Sequence, residues 1–371
     1  MDNEMYISEK IQSARENNFD FLRFFAATLV IFSHSYALTG VNSEPYLVLT
    51  GYASFGMLAV DIFFILSGFL IVKSWLDKPL MFDYLKKRFL RIIPGLCVAV
   101  MLTVFILGPM VTTLSMWKYF SHPLTTEYIK NAYLSVNFFL PGVFAGNTYK
   151  DAVNGSLWTL PIEFKFYIFV LILGLINFFR KRILSLLGVI VLWGIALMNI
   201  YHPLYFNLDS LQQEVLRTLL YFSMGAVFYL YRDKVRLSRP FFALAVALLI
   251  LTFHQPFGAL ASYLVLPYII LFVGLHKIKA LNIFSKYGDF SYGLYIYAFP
   301  IQQTLVYLAK NEISVPVLFI EAFLLTLLFA IGSWFLVEKP FLKLKSVDFS
   351  SLAWSAFLKM VEKPVPVEKD L

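Results

Sequence analysis

Apolar residues run along this chain in ten blocks, near 19–39, 54–75, 92–112, 156–179, 183–200, 211–231, 240–254, 257–275, 287–308 and 314–337, separated by polar connections. A block of about 20 apolar residues, wound as a helix at ~1.5 Å per residue, spans the ~30 Å hydrocarbon layer of a bilayer. The pattern predicts an all-α protein, a polytopic membrane helix bundle with about ten transmembrane helices. The seventh and eighth blocks are short and meet at 254–258, so they are expected either to cross or to form a hairpin that turns back.

Most connections are short, as a compact bundle requires. The exception is 113–155, whose Trp, Tyr and Phe content predicts an outer loop folded back as a partly structured lid, with a re-entrant or interfacial helix. Ahead of the first block, 1–18 is polar, and no small-residue cleavage site follows. The expected organisation is a cytoplasmic segment at 1–18, one transmembrane domain at 19–345 and a cytoplasmic tail at 346–371.

Composition agrees: 59% hydrophobic and 15% charged residues are too apolar a mix for a soluble globular chain. The net charge of +8 raises nucleic acid as a partner, but the placement of the charges argues against it. With the N-terminus in the cytoplasm, only Lys118, Lys130, Lys150 and Lys310 of the 31 Lys and Arg residues fall outside, while Lys165 and Arg217 fall within spans. That asymmetry is topological, and it predicts both termini in the cytoplasm. The single cysteine, Cys97, excludes an intrachain disulfide and a Cys-based metal cluster, and no metal is expected.

Candidate chemistry begins in the first block, where Arg23 and His34 are separated by eleven residues. At about 100° per residue that spacing closes to within roughly 20° of three turns, so both side chains leave one helix face, ~16 Å apart in height. Ionisable groups in a membrane helix are costly and face a protein interior or a wet cavity. Asp61 in the second block and Glu163 in the fourth fall at about the depth of His34, some 10 Å below the outer surface. An imidazole and two carboxylates at one level suit acid–base chemistry, with His34 as base and Asp61 or Glu163 fixing its tautomer. The alternative is structural pairing with Lys165 or Arg217. Arg88 and Arg91, three apart, share a face at the start of the third helix, where guanidiniums beside a helix N-terminus suit phosphate. Around Pro300, Tyr292, Tyr295, Gln302 and Gln303 offer polar groups to a cavity, and Glu338-Lys339-Pro340 is expected to end the last helix.

Five stretches in order carry a resemblance. They are Arg23 and His34 in the first block, VDIFFILSGF (60–69) in the second, RFLR (88–91) before the third, SLWTLPIEFKFY (156–167) in the fourth and SYGLYIYAFP (291–300) in the ninth. Over about 18–345 the chain resembles acyltransferase family 3, bacterial inner-membrane enzymes that acylate sugars. The resemblance implies a carbohydrate O-acyltransferase (EC 2.3.1 class) moving an acyl group, usually acetyl, from cytoplasmic acetyl-CoA to a hydroxyl of a cell-surface or exopolysaccharide glycan. It makes His34 catalytic with Asp61 and Glu163 among the functional carboxylates, and sets Arg23, Arg88 and Arg91 near the phosphates and pantetheine arm of the donor. Acceptor contacts are expected from Ser156, Trp158, Tyr292, Tyr295 and Gln302. The implied partners are acyl-CoA, a glycan or lipid-linked sugar, membrane lipid and polysaccharide-biosynthesis proteins.

Two departures matter. Ala298 stands where some relatives carry a histidine two residues before the proline, so a second imidazole role is not expected. Some relatives carry a fused SGNH-type hydrolase domain that is not seen here, so acceptor handling is expected from the bundle or a separate protein. The rival reading is a transporter or flippase using Asp61, Glu163, Lys165 and Arg217 as a proton or ion relay.

Overall fold

The computed structural model describes residues 5–13, 17–201, 208–255, 257–276, 278, 281 and 287–346. Among them nearly everything is helix, and the one sheet is a two-residue antiparallel pairing of β1 (Met5–Tyr6) with β2 (Arg236–Leu237). All ten apolar blocks are helical: α1 Phe19–Thr39, α2 Phe55–Asp77, α3 Met81–Leu102, α4 Thr159–Leu175, α5 Arg182–Tyr201, α6 Ser210–Leu230, α7 Arg239–Leu251, α8 Gly258–Leu275, α9 Ser291–Leu308 and α10 Val315–Ser333.

Seven helices are long and apolar enough to cross a membrane on their own account. α6, α7 and α9 are not among them. α7 has only 13 residues, whereas α6 and α9 carry polar side chains turned inward, Arg217 on one and Gln302 and Gln303 on the other, all buried. Arg217 and Gln303 are satisfied by protein and Gln302 donates to α1, its Oε1 alone lacking a partner among the described residues; pairing of this kind is how polar groups persist inside a membrane bundle. By contrast α5 and α10 leave most of their apolar surface exposed, as helices facing lipid do. The chain is a multi-pass membrane protein.

Two element ends differ from expectation. α3 starts at Met81, about eleven residues early, and continues through a π-turn at Thr103–Leu107 to Val111. Arg88 and Arg91 therefore lie two to three turns inside a helix and not at its N-terminus, because the Lys and Arg stems pack along apolar neighbours and let the helix continue. Nor does Glu338-Lys339-Pro340 stop the last helix. The backbone passes through a π-turn at Trp334–Glu338, which accommodates Pro340, and continues through Lys339–Lys343 to Ser346.

At the centre, α2 and α6 run parallel and approach closely through glycine. A Cβ on Gly68 would lie 1.9 Å from the Phe222 carbonyl oxygen, and one on Gly225 would lie 2.2 Å from that of Ile65. Small residues at such crossings bring backbones within van der Waals reach. α1 packs against α2 on one side and against α9 and α10 on the other, so it is central to the bundle. Its start is pinned by Asn18, whose Nδ2 donates to the carbonyls of Val273, within the end of α8, and His276, just beyond it.

The stretch 113–155 holds two short helices, Met116–Ser121 and Pro123–Ile129, then a 3-10 turn at Lys130–Tyr133 and a largely irregular chain with isolated bridges pairing Thr112 with Val143 and Phe139 with Ala152. It is tied to α9: Asn147 donates to Gln303 Oε1 (2.8 Å), Gln303 donates to the carbonyls of Tyr149 and Ala152, and Asn154 donates to that of Ile296.

Candidate active site

Arg23 and His34 open from α1 into two different cavities. The first, about 370 Å³, is lined at the Arg23 end by five cations, Arg23, Lys87, Arg88, Arg91 and Lys345. The second, about 540 Å³, holds His34 with Ser156, Trp158 and Glu214. Val60 on α2 and Tyr295 on α9 line both, so the cavities abut across these two side chains. Tyr295 is held in place there: its hydroxyl bonds the Ser156 carbonyl at 2.8 Å and the Thr159 hydroxyl at 2.6 Å.

In the cationic cavity two carboxylates among the described residues face the five cations, Asp289 and Glu163. Asp289 is engaged by Arg91 at 2.5 Å, with Arg23 at 3.9 Å, and accepts from Ser291. Arg23 also meets Asp20 at 3.1 Å. Arg88 differs: it makes no ion pair among the described residues, its guanidinium lies 5.3 Å and 5.7 Å from the ring centres of Tyr84 and Tyr167, and its buried Nε has no hydrogen-bond partner. A guanidinium packed on aromatic rings and lacking a carboxylate is ready for a phosphate. Glu163 is not free either, since it accepts from Tyr167 and, at 3.2 Å, from Ser67. Tyr292 lines this cavity too, its hydroxyl donating to the Ile92 carbonyl at 2.7 Å.

In the other cavity, His34 packs edge-on against Phe299, with centroids 5.1 Å apart, and Phe299 in turn meets Tyr149 of the 113–155 stretch. His34 Nδ1 is buried without a hydrogen-bond partner, as is Ser156 Oγ. Neither carboxylate expected beside His34 is hydrogen-bonded to it. Asp61 points from α2 into α6 and is ion-paired with Arg217, and Glu163 faces the cationic cavity. The equal depth read from spacing does not hold for Glu163: Ser33, beside His34, meets Gly56 at the start of α2, whereas Glu163 meets Ser67 eleven residues further along that helix, ~16 Å away at about 1.5 Å per residue. Asp61 is captured instead by the parallel α2–α6 contact.

Gln302 is corrected as well. It lines neither cavity but donates from Nε2 to the Ile31 carbonyl (2.8 Å) and Ser35 (2.9 Å), joining α9 to α1. A four-residue relay is not assembled, since Lys165 is exposed on the far side of α4 and Asp61–Arg217 is a closed pair. Reading the sequence missed Lys87, Asp289, Lys345 and Glu214. Lys87 sits in the same basic run as Arg88, and Glu214 lies three residues before Arg217, so both had a signal in spacing. Asp289 and Lys345 had none, because only the tertiary fold brings them to Arg91 and its cavity.

Comparison with known proteins follows the same outline. A family described as an acyltransferase domain matches residues 16–337. The O-acetyl transferase of Shigella phage Sf6 is 33% identical over 354 residues, covering 91% of this chain and 99% of its own length. Nodulation protein 10 of Rhizobium leguminosarum bv. viciae is 28% identical over 368 residues, covering 91% and 96%. O-acetyltransferase OatA of Staphylococcus aureus is 25% identical over 376 residues, covering 90% of this chain and 58% of that longer protein. No solved structure gives a significant match.

Proposed function

The chain belongs to acyltransferase family 3, membrane O-acyltransferases, and from that premise we propose that it moves an acetyl group from cytoplasmic acetyl-CoA to a sugar hydroxyl on the other side of a bacterial inner membrane. The observation that carries this reading is the pair of abutting cavities, cationic at one end of α1 and holding His34 at the other. Five cations against two carboxylates suit a polyanionic donor, whose phosphates would meet Arg23, Arg88 and Arg91 with Lys87 and Lys345 beside them. The donor's slender arm would pass Val60 and Tyr295 and present its thioester to His34.

There the neutral imidazole of His34 takes the proton of a sugar hydroxyl as the oxygen attacks the thioester carbonyl. The C–O bond forms, the C–S bond breaks, and the proton passes to the departing thiolate, leaving an ester and a free thiol. Among the described residues no carboxylate is hydrogen-bonded to the ring, so His34 acts without the orienting partner of a triad. Ser156, Trp158 and Tyr295 would contact the acceptor. In this topology all ten helices cross the bilayer, both termini are cytoplasmic, and the 113–155 stretch lies at the outer face.

Sealed membrane vesicles of both orientations test the donor side. With acetyl-CoA labelled in the acetyl group, label should enter glycan or lipid-linked sugar only where the Arg23 end faces the medium. Incorporation from the His34 end instead would overturn the arrangement.

A further inference from the structure

A third cavity, about 200 Å³, lies beyond the His34 cavity between α2, α5, α6 and α8. Met57, Glu214 and Arg217 line both, so the two spaces share a wall. Arg217 is the fixed part of it. Its guanidinium is ion-paired with Asp61, donates to the Met57 carbonyl at 3.2 Å and reaches Glu214 Oε2 at 2.5 Å. With every arm committed, Arg217 has little left for a ligand, but it holds Glu214 by one oxygen only. Nothing among the described residues donates to Glu214 Oε1, and the side chain is about one-third exposed. The far walls add side-chain amides, Asn199 and Gln213, and two tyrosine rings, Tyr52 and Tyr263.

We propose that this third cavity is an acceptor subsite for a neutral sugar ring, adjoining the ring that is esterified beside His34, with Glu214 Oε1 accepting from its hydroxyl. The inference rests on the acyltransferase reading above and deepens it. A carboxylate with a free oxygen and side-chain amides match the hydroxyls of a sugar, and tyrosine faces match its C–H surface. Pockets use few polar groups to orient a ligand and apolar walls to enclose it. The volume falls below the roughly 300 Å³ at which drug-sized sites begin, which fits one ring and not a chain. A glycan would then be gripped at two positions, with Arg217 positioning the wall between them.

The test uses de-esterified surface glycan, and its lipid-linked precursor, from cells that naturally make this protein. Each is titrated against wild-type, Glu214→Ala, Glu214→Gln and Ala259→Trp proteins with labelled acetyl-CoA, and the apparent KM for each substrate is read separately. Losing a hydrogen bond to a charged group should raise the acceptor KM about tenfold or more in Glu214→Ala, with the donor KM unchanged. Glu214→Gln, which keeps an acceptor oxygen, should recover part of that loss. Ala259→Trp, which fills the cavity from α8 and leaves Glu214 in place in the sequence, should act in the same direction, and Glu214→Ala covers the case in which the larger side chain does not fold, since Arg217 keeps Asp61. An unchanged acceptor KM in Glu214→Ala, or equal changes for donor and acceptor, would overturn the subsite. No transfer by wild type to either acceptor would instead overturn the acyltransferase assignment of substrate on which it rests.

Discussion

Asp61 is closed against Arg217 in the interface of α2 and α6, about two helical turns from the point where Gly68 and Gly225 bring those backbones together. The close crossing fixes the register of two parallel helices. Seven residues back from Gly68 and eight back from Gly225, the carboxylate and guanidinium arrive at the same height on facing sides. Asp61 is therefore spent on holding α6, and His34 is left with a bare ring.

Removing one partner of that pair should cost folding before it costs chemistry. Asp61→Ala leaves Arg217 buried with Glu214 as its one carboxylate among the described residues, and breaking a buried pair costs about 3–5 kcal/mol. The protein should fall in membrane accumulation and thermal midpoint, while the double variant Asp61→Leu with Arg217→Met should recover much of the loss. Thermal unfolding in detergent would read this. A stable Asp61→Ala protein that has lost only turnover would return Asp61 to a role at His34.

The crossing itself is equally sensitive. Gly68→Ala places a methyl where the Phe222 carbonyl stands, and overpacking of this kind costs about 1–3 kcal/mol. A lower thermal midpoint is expected, whereas Gly194→Ala, with open space around its Cβ, should be neutral or slightly stabilising. Equal behaviour of the two would contradict the packing described.

Arg88 and Arg91 should separate experimentally. Arg88 carries no carboxylate, so Arg88→Ala is expected to weaken apparent donor affinity about tenfold or more with little change in stability. Arg91 is bonded to Asp289, so Arg91→Ala should weaken donor affinity and also destabilise by about 1.5–3 kcal/mol. Donor titrations run beside thermal melts would show the split, and normal donor affinity in both variants would remove them from the donor site.

Gln302 gives the opposite contrast. Because its amide bonds the Ile31 carbonyl and Ser35, Gln302→Leu should lower the thermal midpoint and leave the KM values of both substrates near wild type. A selective rise in acceptor KM would restore it to the binding site.

That each of the ten apolar blocks forms a helix was legible from the alternation of apolar blocks and polar breaks, and seven of those helices are long and apolar enough to cross a membrane. The eleven-residue spacing of Arg23 and His34 also carried through to one helix face serving both cavities. What the sequence withheld was azimuth and long-range company. Asp61 turned to α6, Glu163 lies with Ser67 in the cationic cavity, eleven residues along α2 from the level of His34, and Gln302 turned to α1. Asp289 and Lys345 join Arg91 from far along the chain. The early start of α3 was hidden because the basic run 86–91 reads as a boundary in hydropathy while its stems pack as helix.

The most direct measurement supplies acetyl-CoA, labelled in the acetyl group, to membranes holding wild-type or His34→Ala protein, and follows label into glycan, lipid-linked sugar and free acetate. The account predicts label in a glycan or lipid-linked fraction with wild type and none above background with His34→Ala, both proteins being folded and equally abundant. Transfer that persists in folded His34→Ala protein would contradict it.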